Sequence, residues 1–187
     1  MTLPRITAEE AAAQIHDGQT VAFSGFTPAG APKVIPRSIA AKAEAEHSAG
    51  RNYQIGVLTG ASTGPSLDGA LAQADAIAWR TPYQSNAEIR KAINSGRTRF
   101  FDMHLSQVAQ TTRYGFLGKV DHAIIEACDI SDDGEVVLTT GVGIAPTVAR
   151  LADKVYVELN RRHPAALRGF HDIYEPLDPP HRLPIPL

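Results

Sequence analysis

Short apolar stretches alternate with amphipathic stretches along the chain, and this alternation predicts strands that alternate with helices. The apolar runs at residues 20–24 and 53–59 each end in a cluster of small residues, which is typical of buried strands in a parallel sheet. Further strands are predicted at residues 76–80, 99–102, 122–128, 135–140 and 155–159. Helices are predicted at residues 7–15, 33–48, 67–74, 87–94, 105–114 and 147–152. This order favours an α/β fold with a mostly parallel, doubly wound sheet.

Local signals define several ends of these elements. Thr7 and Glu10 stand at the spacing of a capping box, in which each side chain accepts a hydrogen bond from the other residue's amide. Asn86 is a favourable N-cap for the helix at residues 87–94. The turn signal at residues 132–134 predicts a hairpin between the two strands that flank it.

The last part of the chain has a different pattern. Residues 161–187 show no periodic apolar face and contain six prolines, namely Pro164, Pro176, Pro179, Pro180, Pro184 and Pro186. Such a stretch is typical of an extended linker or arm. The sequence therefore predicts one α/β domain over residues 1–160 and a proline-rich arm over residues 161–187 that leads to a further segment.

Composition and charge narrow the classes of function. Of the 187 residues, 43% are hydrophobic and 20% are charged, which are ordinary values for one globular domain with a core. The formal net charge of −2 provides no basic field, so no nucleic-acid partner is expected.

Several absences in the sequence bear on the compartment. No apolar run reaches the ~18–20 residues that would span a bilayer, and the first five residues lack the apolar core of a signal peptide. The single cysteine, Cys128, excludes an intramolecular disulfide framework. Together these features predict a cytoplasmic protein without membrane contact.

The loops after the first two predicted strands carry the candidate binding chemistry. Glycine in these loops allows a ligand to approach the backbone closely, and hydroxyl side chains offer neutral hydrogen-bonding groups. Neither loop has a phosphate-binding fingerprint. We expect a ligand site beyond the carboxyl ends of the strands. The candidate residues there are Gly25, Phe26, Thr27, Gly30, Gly60, Ala61, Ser62 and Thr63.

Each candidate also has a structural interpretation. Residues 25–30 either line a carboxylate pocket at the N-terminus of the following helix or form an ordinary strand-to-helix turn. Ser62 either binds a carboxylate or, with Thr63, caps the next helix. Ser85 either donates to a substrate oxygen or belongs to the N-cap beside Asn86.

Other polar residues are weaker candidates. Glu126 could act as a base or nucleophile, but a structural carboxylate that accepts backbone amides or pairs with an arginine is favoured. Cys128 has apolar neighbours and is interpreted as packing. The run Gly141-Val142-Gly143 is an incomplete dinucleotide fingerprint. The histidines lack zinc-site spacing and a cysteine pair, so no metal is expected.

Taken together, these segments resemble the acetyl-CoA hydrolase/CoA-transferase family, particularly its succinyl-CoA:acetate CoA-transferases. The resemblance covers residues 7–181. It rests on Gly25-Phe26-Thr27-Pro28-Ala29-Gly30, Gly60-Ala61-Ser62-Thr63-Gly64, Leu67-Asp68-Gly69, Arg80-Thr81-Pro82-Tyr83-Gln84-Ser85, Tyr114-Gly115, Gly118-Lys119, Glu126-Ala127, Gly134 and His171-Asp172-Ile173-Tyr174.

The resemblance implies that this chain is the N-terminal half of an enzyme with two similar α/β halves and the active site between them. Such enzymes move coenzyme A between carboxylic acids through an acyl-glutamyl anhydride and a glutamyl-CoA thioester. The attacking glutamate, the CoA-binding loop and the oxyanion amides belong to the second half. This chain is therefore expected to contain no catalytic residue and to be inactive alone.

The resemblance also implies partners and site residues. Positions that match Ser62 and Ser85 face the small carboxylate, with residues 25–30 as a neighbouring wall, whereas Glu126 matches a position that is not the nucleophile. Acyl-CoA, small carboxylic acids and the C-terminal half are the expected partners, and the complete enzyme is expected to be a homo-oligomer. Two alternatives remain: a stand-alone carboxylate or acyl-CoA binding module, and, by fold analogy alone, a sugar-phosphate isomerase.

Overall fold

A computed structural model describes residues 3–175 and 177–185 of the chain. Pro176 and Pro186 of the predicted arm, together with Leu187, lie outside the described residues. The strands are β1 (Thr20–Phe23), β2 (Ile55–Thr59), β3 (Ile77–Thr81), β4 (Arg99–Phe100), β5 (His122–Ile130), β6 (Val136–Leu138) and β7 (Lys154–Leu159). The α-helices are α1 (Ala8–Ala13), α2 (Ile35–Ser48), α3 (Ala70–Gln73), α4 (Ala87–Asn94), α5 (Leu105–Arg113) and α6 (Ala145–Leu151).

All these strands belong to one sheet. The strands β4, β3, β2, β1, β5 and β7 lie side by side in this order and are parallel, whereas β6 is antiparallel to β5. Ala127 of β5 pairs with both Leu159 of β7 and Leu138 of β6, so these two strands lie on opposite edges of β5. The strand β6 therefore extends the sheet beyond the carboxyl end of β1.

Helices cover both faces of the sheet, because alternate strand residues point to opposite faces. Val21 and Phe23 of β1 pack in the cluster formed with α1, α2, α3 and α4. Ala22, between them, packs in the cluster that contains Val108 of α5 and Val148 of α6. The predicted doubly wound, mostly parallel sheet is confirmed.

Local capping explains where two helices begin. The amide of Glu10 donates to Thr7 Oγ1 at 3.1 Å, and the amide of Thr7 donates to Glu10 Oε2 at 2.8 Å, as a capping box requires. The Asn86 side chain accepts from the amides of Glu88 and Ile89 at the start of α4. Both predicted caps are confirmed.

The helix predicted at residues 67–74 is divided in the structure. Its first part is a π-helical turn (Pro65–Gly69), and α3 follows it. The turn is wide because the Gly69 amide donates to the Gly64 carbonyl, five residues earlier, while the Asp68 amide donates to Thr63 Oγ1. Side-chain competition for backbone groups is the physical reason for the difference.

The described part of the tail lies along the domain. It contains one short 3₁₀ turn (Ala165–Leu167). The guanidinium of Arg113 in α5 donates to Asp178 at 2.8 Å, and the guanidinium of Arg182 donates to Gln110 of α5 at 2.9 Å. The division into a domain over residues 1–160 and an arm over residues 161–187 stays a prediction.

Candidate functional site

The loops after β1, β2 and β3 meet at the carboxyl edge of the sheet. A Cβ atom built on Gly64 would lie 3.3 Å from Pro28 Cβ, so the first two loops are in contact. The loop between β6 and α6 joins them: a Cβ atom on Gly30 would lie 2.8 Å from the Gly141 carbonyl oxygen. Gly141-Val142-Gly143 thus serves as a close-packed wall of this edge.

Ser62 and Ser85 are brought together from two loops. Their Oγ atoms are 2.8 Å apart, and the Ser85 amide donates to Ser62 Oγ at 2.9 Å. Ser62 is only 2% exposed, whereas Ser85 is exposed. Ser85 is therefore the residue of the pair that meets solvent, and Ser62 lies behind it as a hydrogen-bonding support.

The structural interpretation holds for Thr63 but is not needed for Ser85. Thr63 Oγ1 accepts from the Asp68 amide at 3.3 Å, so this hydroxyl shapes the start of the π-helical turn. At α4, the cap is provided by Asn86, which leaves the Ser85 side chain available for Ser62. Gly60 and Ala61, which precede Ser62, are buried in the same loop.

A fully buried ion pair lies directly behind this loop. Arg80 and Asp68 have side chains that are 0% exposed, and the guanidinium donates to both carboxylate oxygens, at 2.8 and 3.0 Å. Both residues belong to segments that carry the family resemblance, but their local sequence does not indicate that they pair. Arg80 lies inside an apolar strand, β3, and this position could have predicted a buried acidic partner, because a buried charge needs one.

The N-terminus of α2 is occupied by a side chain of the protein. The amides of Lys33, Val34 and Ile35 all donate to the carboxylate of Glu158, at distances of 2.6 to 3.1 Å. A carboxylate is favourable at a helix N-terminus, but here it comes from β7. These three amides are not available to a substrate anion, which corrects the expectation for this helix end.

The loop at residues 25–30 is a tight turn with an exposed tip. The amides and carbonyls of Phe26 and Ala29 are paired with each other, at 2.9 and 3.2 Å. Phe26 is 50% exposed, and the Thr27 hydroxyl donates to the Phe26 carbonyl at 2.6 Å. Gly25 adopts a φ of 127°, and a Cβ atom there would lie 2.9 Å from Ala31 Cβ. As a substrate wall, Gly25, Phe26, Thr27 and Gly30 stay a prediction.

Glu126 is a structural carboxylate, but its partners differ from the expected ones. Its carboxylate, 1% exposed, accepts from Lys33 Nζ at 2.6 Å, Asn160 Nδ2 at 2.8 Å and Thr139 Oγ1 at 2.9 Å. The predicted arginine or backbone amides are replaced by a lysine and two polar side chains. Because its carboxylate oxygens already accept from these three donors, Glu126 is poorly placed to attack a substrate.

An open cleft of about 520 Å³ adjoins the Ser85 loop. Its lining residues are Tyr83, Asp102, Met103, His104 and Leu105. Large apolar side chains are exposed at the same edge of the sheet: Tyr83 is 48% exposed and Phe101 is 43% exposed. Exposed apolar groups at such a position favour coverage by a ligand or by protein.

The described residues contain neither a cluster of metal ligands nor a membrane-spanning helix. Within residues 3–175 and 177–185, no three His, Cys, Asp or Glu side chains are grouped so that they could hold a metal ion. No helix in this part of the chain is both long and apolar enough to cross a membrane.

Comparison with known proteins provides the family. Residues 3–184 match the model of the acetyl-CoA hydrolase/transferase N-terminal domain. The chain belongs to this family. The predicted resemblance is therefore confirmed, as is the N-terminal position of this segment within such proteins.

Curated members of the acetyl-CoA hydrolase/transferase family are much longer than this chain. It is 49% identical over 178 residues to a propanoyl-CoA:succinate CoA transferase of Escherichia coli, covering 95% of this chain and 36% of that protein. It is 44% identical over 182 residues to a succinyl-CoA:acetate CoA-transferase of Clostridium kluyveri, covering 97% of this chain and 33% of that protein. An acetyl-CoA hydrolase of Eremothecium gossypii is 42% identical over 186 residues, covering 96% of this chain and 35% of that protein. The chain spans about a third of the length of these relatives.

Solved structures with a similar fold include RipA and a coenzyme A-transferase. RipA from Yersinia pestis superposes with a TM-score of 0.65 at 19% identity, covering 85% of this chain and 37% of that chain. Glutaconate coenzyme A-transferase from Acidaminococcus fermentans gives a TM-score of 0.62 at 16% identity, covering 82% and 68%. At these identities the similarity establishes the fold.

Proposed function

We propose that this domain forms the carboxylate-binding wall of an active site that transfers coenzyme A between carboxylic acids or hydrolyses an acyl-CoA. The observation that carries the proposal is the Ser62–Ser85 hydroxyl pair, 2.8 Å apart at the carboxyl edge of the sheet, in a chain of this family. By analogy with the relatives' names, the acids are short ones such as acetate, propanoate and succinate.

The two hydroxyls form a short relay toward the substrate. Ser62 Oγ accepts the Ser85 amide at 2.9 Å. Its hydroxyl lies 2.8 Å from Ser85 Oγ, where either oxygen can donate, and 3.3 Å from the Thr63 carbonyl, a second acceptor for its proton. In the proposed complex it donates to Ser85 Oγ. Ser85 Oγ, which is at an exposed position, then donates its proton to a carboxylate oxygen. A neutral donor orients the acid without an ion pair, which suits an acid that must enter and leave in each cycle.

The covalent steps are proposed to use a glutamate outside this chain. Its carboxylate attacks the thioester carbonyl and the C–S bond breaks. CoA departs as the thiolate, and an acyl-glutamyl anhydride is formed. The thiolate then attacks the glutamyl carbonyl and releases the first acid as a carboxylate. A second acid reverses these steps, or water cleaves the glutamyl-CoA thioester and releases CoA and the free glutamate. The engagement of Glu126 with Lys33, Thr139 and Asn160 supports this assignment, as does the greater length of the relatives.

The stand-alone binding module is less well supported. Phe26, Tyr83, Phe101 and Leu105 are exposed apolar side chains on segments that follow β1, β3 and β4. A finished module would bury such groups or replace them with polar ones. Their position favours a further part of the enzyme that covers this edge. The homo-oligomeric state and the cytoplasmic location stay predictions.

The carboxylate site is tested by titration with acetate, propanoate and succinate, observed by amide NMR. We expect shifts at residues 60–64 and 83–85, and weaker binding by about 1 kcal/mol in Ser85→Ala or Ser62→Ala, the loss of one hydrogen bond. Ser106→Ala, at an exposed position of α5, is the matched control. Binding that is unchanged in both site variants would remove the hydroxyl pair from the proposal.

The absence of the attacking glutamate is tested separately. This chain, mixed with an acyl-CoA and a labelled carboxylate, is expected to give no label in the acyl-CoA and no covalent CoA adduct. Mass spectrometry detects both products. Turnover, or an adduct on any side chain of these 187 residues, would contradict the location of the nucleophile.

A further inference from the structure

We propose that the buried Asp68–Arg80 pair is a positioning device that holds Ser62 at hydrogen-bonding distance from Ser85. The inference rests on the proposed function for its biological meaning. The dependence of the Ser62–Ser85 contact on the ion pair is inferred from the hydrogen bonds alone.

The ion pair holds the peptide groups on both sides of Ser62. The Arg80 guanidinium donates to the Ala61 carbonyl at 3.1 Å, and this carbonyl belongs to the peptide that enters Ser62. The Asp68 carboxylate accepts from the Thr63 amide at 2.9 Å, and this amide belongs to the peptide that leaves Ser62. Fixing both flanking peptides limits the two backbone dihedrals of Ser62 and therefore the direction of its side chain.

The same guanidinium also contacts the end of its own strand, β3. Arg80 Nη1 donates to the Thr81 carbonyl, at the end of β3, from which the chain continues to Ser85. One side chain thus contacts the last part of β3 and the loop that carries Ser62. This bridge ties the loop that carries Ser62 to the strand end from which the Ser85 loop begins.

Arginine is the side chain that this arrangement requires. The three guanidinium nitrogens make four donor contacts, to Asp68 Oδ1, Asp68 Oδ2, Ala61 and Thr81. A lysine has the same charge, but its single nitrogen cannot span these acceptors. A buried ion pair is weak evidence for stability, because apolar residues of similar volume often stabilise as well. Positioning of Ser62 explains why charge is placed here.

The test separates positioning from folding. In the double variant Asp68→Leu/Arg80→Met the apolar side chains replace the pair, and thermal unfolding reports whether the domain stays folded. Hydrogen exchange of the Ser85 amide, which donates to Ser62 Oγ, reports the contact without any ligand. We expect a folded domain in which this amide exchanges about five to ten times faster, as loss of one hydrogen bond predicts.

Three further variants make every outcome informative. Ser62→Ala should accelerate exchange of the Ser85 amide as much as the double variant does, whereas Arg113→Met/Asp178→Leu, which removes an ion pair elsewhere, should not. Arg80→Lys, which keeps the charge beside Asp68, is expected to behave like the double variant. An unchanged Ser85 amide in a folded double variant would overturn the proposal. Failure of the double variant and Arg80→Lys to fold would also count against it, because the pair would then be a requirement of the fold.

The two proposals fail in different ways. If the unmodified chain binds no carboxylate, the proposed function loses its support while the exchange experiment still decides on the positioning role. If the chain binds carboxylates and the folded double variant binds them equally well, the positioning role fails alone.

Discussion

At the scale of single residues, buried polar groups fall into two classes. Arg80 and Glu126 have partners for their charged atoms, as buried charges require. His122 is different. It is 5% exposed, its Nε2 atom is 2.9 Å from Gln19 Oε1, and its ring stacks on Tyr156 with 5.8 Å between centroids. Its Nδ1 atom is buried and has no hydrogen-bond partner among the described residues. Because Gln19 Oε1 is an acceptor, the neutral tautomer carries its proton on Nε2.

His122 is expected to make the fold less stable in mild acid. Burial lowers the pKa of His122 below its ordinary value of 6.5, so the unfolded chain binds a proton that the native domain does not. This contribution to the free energy of unfolding is complete above pH 6.5 and is lost as the pH falls from 6.5 toward the lower native pKa. Urea unfolding from about pH 7.5 to about pH 5 should therefore show a slope that His122→Phe reduces. His104→Phe, a substitution at an exposed position, is the control. An equal slope in the unmodified chain and both variants would show that His122 is not the group responsible.

At the scale of elements, one glycine determines how β2 and β3 lie together. Gly56 pairs with Trp79 in the parallel register, and the indole of Trp79 lies where a Cβ of residue 56 would be. The distance from that Cβ position to the nearest indole atom is 2.3 Å. Trp79 also contacts Phe101, with ring centroids 6.2 Å apart, and packs against the cluster under α5 and α6. The absence of a side chain on β2 therefore makes room for the largest residue of β3.

A methyl group at this position should weaken the sheet. We expect Gly56→Ala to lower the free energy of unfolding by about 2 kcal/mol or more, because the indole has to leave its packed position. Trp79→Leu alone should also destabilise, by loss of packing. In Gly56→Ala/Trp79→Leu the alanine has room, so the double variant should be more stable than the sum of the single effects predicts. Denaturant unfolding of the four proteins measures this coupling, and simple additivity would contradict the explanation.

At the scale of the whole molecule, the described tail is held to the domain by ion pairs instead of by a layer of core residues. Arg113 bonds Asp178 and also approaches Glu175 at 3.5 Å, while Arg150 bonds Glu175. The guanidinium of Arg113 lowers the pKa of the Asp178 carboxyl below its ordinary value of 3.8. Phe170 remains 76% exposed. Partly exposed pairs of this kind contribute little individually and are screened by salt.

The tail is therefore expected to separate from the domain without global unfolding. Arg113→Ala should speed tryptic cleavage after Arg161, Arg162 and Arg168 several-fold while the midpoint of thermal unfolding changes little. Mass spectrometry of the fragments over time measures the rates. Arg97→Ala, which removes an exposed pair with Asp75, provides the control. Equal cleavage rates in the two variants would show that Arg113 does not anchor the tail.

Across these scales, the sequence supported the elements well because their signals are local. The periodicity of apolar residues predicted every strand and α-helix to within a few residues, apart from the division at residues 65–73. Capping by Thr7 and Asn86 depends on neighbours three residues away or fewer, and it was predicted correctly. Ser62 and Ser85 were predicted as candidates from their loops, although their direct contact was not.

What the sequence alone determined about this protein is thus the set of elements, the family and the loops with hydroxyl side chains. Only the tertiary structure decided that Glu158 occupies the start of α2, that Lys33 pairs with Glu126, and that Asp68 and Arg80 enclose Ser62. The physical reason is separation along the chain. Glu158 bonds amides up to 125 residues away, and such partners are chosen by the order of strands in the sheet, which no local pattern of residues encodes.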